Sequence, residues 1–124
     1  MKTTRAIFRT TLVAAAAAVA VLEQIEAGGV LERAMEIENL MVTKLKDIQT
    51  RHASIGDIRG RGAMVAIELV QPGTKDPNPA AVAKAVAHCA QNGVLVLNAG
   101  THANVIRFLP PLAITNDQLL EALG

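Results

Sequence analysis

The sequence predicts a single small α/β (α+β) domain in which a short sheet packs against helices. Three observations carry this. Helix-period segments occupy the first 50 residues, short apolar runs bounded by Gly and Pro follow, and one further helix-like segment interrupts those runs. A chain of 124 residues buries about two-thirds of its unfolded surface, enough for one core.

Each element has its own signal. Thr11–Ala27 is alanine-rich without Gly or Pro, hence helical, and Gly28-Gly29 stops it where positive φ is allowed. In Val30–Thr50, the apolar Leu31, Ala34, Met35, Leu45 and Ile48, with Leu40 and Met41 between them, keep near-helical spacing opposite a charged face. Ile55–Arg59 and Ala63–Val70 read as strands separated by Gly60 and Gly62. Gln71–Pro79 is a loop, and Asn78-Pro79 supplies an N-cap and a first-turn proline for a helix over Ala80–Asn92 that Gly93 ends. Val94–Leu97 and Val105–Leu109 are the next expected strands. Thr115 and Gln118 have capping-box spacing and start a short, frayed terminal helix.

Composition excludes several classes. Net charge is +1 with acids and bases mixed, and Phe8 and Phe108 are the only aromatics, so nucleic acid and anionic membranes find neither a basic patch nor a stacking platform. The lone Cys89 excludes an internal disulfide and reads as a small core residue. His52, His88 and His102 lack metal-ligand spacing, so no metal is expected. Lys2, Arg5 and Arg9 before the apolar run Leu12–Leu22, with A-V-A at Ala18–Ala20, have the form of a secretory signal. That run is shorter than the roughly 20 residues a span needs, and its alanines continue into V-L-E-Q-I-E. A cytoplasmic protein is therefore expected.

The most informative segment is Val105–Thr115, V-I-R-F-L-P-P-L-A-I-T, which places Arg107 inside an apolar run. A guanidinium cannot shed its charge, so the fold must give it an anion, and its planar fork suits a carboxylate. On a strand Arg107 shares a face with Val105 and Leu109, opposite Ile106 and Phe108. Two readings stand: a ligand contact, or a structural pair with an acid such as Glu68. Pro110-Pro111 keep the chain extended past Leu109 and hold Arg107 near a strand end.

With the preceding G-V-L-V-L-N-A-G-T-H-A-N (Gly93–Asn104), this segment resembles the C-terminal small domain of the class III pyridoxal-phosphate aminotransferases, and among them the 4-aminobutyrate branch. Ala14–Ala34 resembles the helix that leads into that domain, Ile55–Leu69 (I-G-D-I-R-G-R-G-A-M-V-A-I-E-L) its R-G-x-G strand pair, and Gln71–Pro77 the loop that follows. The resemblance implies the small domain of the fold-type I aminotransferases, pyridoxal phosphate as cofactor, homodimers, and transfer of an amino group from 4-aminobutyrate to 2-oxoglutarate. It makes Arg107 the residue that grips a substrate carboxylate, and gives Arg59 a hydrogen-bonding role at the start of its strand.

The same comparison marks departures. The family's Schiff-base lysine lies in a large domain upstream, and Lys44, Lys46, Lys75 and Lys84 fall on polar helix faces or in a loop. Met1–Thr11 does not match the glycine-rich segment before the family's helix, and His102-Ala103 replaces the usual aromatic and glycine. Gly100-Thr101 has no helix after it to make a phosphate loop. The expectation is a fragment, with residues 1–11 a non-matching start and 12–124 the small domain with a shortened last helix. It is expected to be inactive alone and to self-associate. The alternative is a non-catalytic small domain that binds carboxylates or joins a complete subunit.

Overall fold

The computed structural model describes the backbone of Lys2–Gly124 and the side chains from Thr11 onward. Among the described residues the elements run α1 (Lys2–Glu26), α2 (Val30–Arg51), β1 (Ile55–Arg61), β2 (Met64–Leu69), α3 (Pro79–Gln91), β3 (Leu97–Ala99), β4 (Val105–Phe108) and α4 (Asn116–Ala122). They fall into two compact units, one ending at Glu32 and one spanning Arg33–Gly124.

The first unit is α1 and the turn after it. The helix begins well before Thr11 because residues 2–10 also lack Gly and Pro. It ends as expected at Gly28 and Gly29, with φ of +85° and +86°. Gly29 N–H donates to Glu32 Oε2 at 2.9 Å, tying the turn to the start of the next helix. Leu12, Val13, Val19, Val21 and Leu22 are exposed. No single helix among the described residues is long and apolar enough to cross a membrane.

In the second unit, α2 buries Ile37, Met41 and Leu45, an i, i+4, i+8 stripe. This corrects the expected stripe. Met35 is exposed because it sits about 200° round the helix from Ile37, and Leu31 is exposed too. Ile37, flanked by Glu36 and Glu38, is fully buried.

The strands form one antiparallel sheet in the order β1-β2-β4-β3. Val65, Ile67 and Leu69 of β2 and Ile106 of β4 meet the α2 stripe, Val82 of α3 and Leu119 of α4 in a single core on one face of the sheet. The fold class is the expected α/β (α+β) arrangement. Helix α3 starts as its sequence requires, with Pro79 in the first turn and the Asn78 side chain accepting from Ala81 N–H at 3.1 Å. At α4 the Thr115–Gln118 capping box is formed in both directions.

The expected strand Val94–Leu97 is displaced to Leu97–Ala99, and the expected Val105–Leu109 ends at Phe108. Both shifts have one cause. Leu97 pairs with Arg107, so extending this antiparallel ladder would set Val94 opposite Pro110, which has no N–H to give.

Arg33 fastens the segment after β4. Its guanidinium donates to the Leu112 carbonyl at 3.3 Å, the Ile114 carbonyl, Asn116 Oδ1 at 2.7 Å and Glu36 Oε2 at 2.7 Å. Asn116, whose Nδ2 donates to Glu36 Oε1 at 2.8 Å, and then Arg33 lower the Glu36 carboxyl below its usual range.

Candidate carboxylate-binding site

The sheet face opposite the core carries the charged side chains of β1, β2 and β4. Register aligns Arg59 of β1 with Ala66 of β2, Ala66 with Arg107 of β4, and Arg107 with Leu97 of β3. Directly paired residues in a sheet project to the same side, so the two arginines flank the short Ala66 side chain. The result is a groove of about 340 Å³ lined by Arg59, Arg61, Met64, Ala66 and Arg107, among others.

The two flanking cations are in different states. Arg59 Nη1 donates to Asp57 Oδ2 at 2.6 Å and to Glu68 Oε2 at 2.8 Å. These two bonds, Asp57's first, raise the Arg59 pKa above its ordinary value. Arg59 thus takes the hydrogen-bonding role expected of it. Arg107, by contrast, has a buried Nε without a hydrogen-bond partner, and none of the ion pairs among the described residues includes it. A buried donor left without an acceptor costs stability.

The structural alternative, an Arg107–Glu68 pair, is not the arrangement found. Glu68 is engaged by Arg59 and, through Oε1, by Asn104 Nδ2 at 3.2 Å. Asn104 is a site residue that the sequence pattern does not single out. It is 3% exposed and its Nδ2 also donates to the Leu69 carbonyl at 3.2 Å. Its signal was a polar residue directly ahead of an apolar strand, where a buried amide must be hydrogen-bonded.

The other candidates lie elsewhere. Lys44 is on α2 with Lys46, Lys75 is in the β2–α3 loop and Lys84 is on α3. Cys89 is half-buried in α3. His52, His88 and His102 fall after α2, in α3 and in the β3–β4 loop, and the described residues hold no group of three or more His, Cys, Asp or Glu able to bind a metal. A second cleft of about 290 Å³, between the end of β4 and α4, is lined by apolar side chains such as Met41, Val94, Phe108 and Leu119 and has no charged residue in its wall.

The family model for class III aminotransferases matches residues 6–124. The chain belongs to the class III aminotransferases. It is 44% identical over 111 residues to the 4-aminobutyrate aminotransferase of Mycobacterium leprae, an alignment covering 90% of this chain and 25% of that protein. It is 40% identical over 109 residues to the 5-aminovalerate aminotransferase of Pseudomonas putida, covering 88% of this chain and 25% of that one. Among solved structures, an amine transaminase from an uncultivated Pseudomonas species in its PLP-bound form superposes with a TM-score of 0.75 at 33% identity, over 87% of this chain and 24% of the other. This class III chain spans about a quarter of the length of these relatives.

Pyridoxal phosphate is the cofactor of the class III aminotransferases. The described residues do not fit its covalent attachment: no lysine lines the groove that holds Arg107. What the groove offers is an arginine without a protein partner among the described residues, beside the short side chain of Ala66.

Proposed function

We propose that the chain is the C-terminal small domain of a 4-aminobutyrate-type aminotransferase and that Arg107 grips the carboxylate of the substrate. The observation that carries this is the buried, partnerless Arg107 Nε on a sheet face whose acids, Asp57 and Glu68, are already engaged. Two relatives are named for 4-aminobutyrate and 5-aminovalerate. Both compounds carry a carboxylate at one end and an amine at the other, and they differ by one methylene. A fixed guanidinium that holds the acid end serves either, because it leaves the amine end to be placed at the reacting centre. Pyridoxal phosphate supplies the electron sink of transamination, and 2-oxoglutarate is the acceptor in this reading. The cytoplasm is the compartment it implies.

These residues supply the acid-end grip and not the cofactor lysine, so the 124-residue polypeptide does not turn over by itself. Mixed with pyridoxal phosphate, it is expected to show no visible absorbance of a lysine-bound cofactor and no transamination of 4-aminobutyrate with 2-oxoglutarate. A stoichiometric, borohydride-trappable adduct at one lysine, together with turnover, would overturn that expectation.

The exposed apolar side chains of Leu12–Leu22 in α1 support a second feature of the proposal. Contiguous apolar surface of this kind drives association, so the isolated polypeptide is expected to sediment as oligomers. A single monomeric species at high concentration is the contrary result.

A further inference from the structure

We propose that Arg59 and Asn104 are positioning residues that hold the Glu68 carboxylate off Arg107 and so keep the guanidinium free for its ligand. This inference rests on the carboxylate reading of Arg107 and deepens it. In the ladder Glu68 stands opposite Val105 while Arg107 stands opposite Ala66. Glu68 and Arg107 are therefore diagonal neighbours on one face, about 7–8 Å apart at the backbone and within reach of two long side chains. Glu68 is half-buried. Left to itself, it is the internal anion that would occupy the site and compete with any incoming carboxylate.

Both of its oxygens are instead committed. Arg59 takes Oε2 at 2.8 Å from the β1 side, across β2 from Arg107. Arg59 is itself anchored by Asp57 at 2.6 Å. Asn104 takes Oε1 at 3.2 Å, and it is fixed in turn by its bond to the Leu69 carbonyl and by Leu69 N–H, which donates to the Asn104 carbonyl at 2.7 Å. The face thus holds two acids, Asp57 and Glu68, and three arginines, Arg59, Arg61 and Arg107, yet both acids are drawn to Arg59 and Arg107 is left open.

The test reads the Nε–H signal of Arg107 by NMR in the ligand-free chain and, separately, the affinity for glutarate. Arg59→Met should release Glu68, move the Arg107 signal to that of an ion-paired guanidinium, and weaken glutarate binding by about tenfold. Adding Glu68→Gln in that background should return both readings to those of the wild type. Arg59→Lys, which keeps the charge, should behave as the wild type does. Asn104→Ser should shift the signal in the same direction as Arg59→Met and should likewise be reversed by Glu68→Gln. A network that only staples the strands would lower stability without moving the Arg107 signal, and Glu68→Gln would not reverse its effects. Either of those results, in a variant whose backbone spectrum shows it folded, overturns the proposal. Absence of glutarate binding by the wild type would count against the carboxylate reading, whereas the ligand-free signal bears on Arg59 and Asn104 directly.

Discussion

Ile37→Ala is expected to destabilise the chain by about 2–5 kcal/mol, the range for removing a branched aliphatic side chain from a packed core. Ile37 is fully buried and belongs to the same core as Val65, Ile67 and Ile106. None of the buried residues of that core is aromatic. A small domain's total stability is about 5–15 kcal/mol, so the variant should lose a large part of it. Urea titration should show a lower midpoint with an unchanged slope. A loss below about 1 kcal/mol would mean that the site collapses around the cavity.

Gly60→Ala should act on the strand pair that carries the site. A Cβ built at Gly60 would lie 2.7 Å from the Met64 carbonyl oxygen, 2.9 Å from Val65 Cγ2 and 3.0 Å from Val65 Cα. Two of those three atoms are backbone, which cannot turn aside as a side chain would. Relief requires β1 to move off β2 at the point where Gly60 pairs with Val65. Overpacking of this kind costs about 1–3 kcal/mol. Because Arg59 and Arg61 flank Gly60 and line the groove, the same shift should weaken carboxylate binding alongside the fall in melting temperature. An unchanged melting temperature would show that the hairpin accommodates the methyl group.

Much of this arrangement was legible in the sequence because local chemistry dictates it. The Gly28-Gly29 stop, the Asn78-Pro79 start of α3 and the Thr115–Gln118 box each satisfy backbone groups within a few residues, so neighbouring letters suffice to read them. The segment around Arg107 was legible for another reason: a charge inside an apolar run must be explained by something outside that run. What escaped depended on partners distant in sequence. The α2 stripe is rotated because the sheet selects Ile37 rather than Met35, and spacing alone does not distinguish them. Strand β3 is shifted because its partner is cut short by prolines thirteen or more residues further on. Glu68 is visible in the sequence as an acid within reach of Arg107, but its commitment to Arg59 and Asn104 joins residues from three separate segments.

The central claim is that Arg107 serves a ligand rather than the fold, and thermal melts of the wild type and Arg107→Ala, each with and without excess 2-oxoglutarate, test it most directly. A buried donor without a partner costs stability, whereas the aliphatic stem of the same side chain contributes packing. Removing both together should leave the unliganded melting temperature close to that of the wild type. 2-Oxoglutarate should then raise the melting temperature of the wild type alone, since a ligand stabilises only the folded form that binds it. The contradicting result is an unliganded Arg107→Ala that melts far below the wild type, as expected if the guanidinium paired with a buried acid whose loss of partner costs about 3–5 kcal/mol.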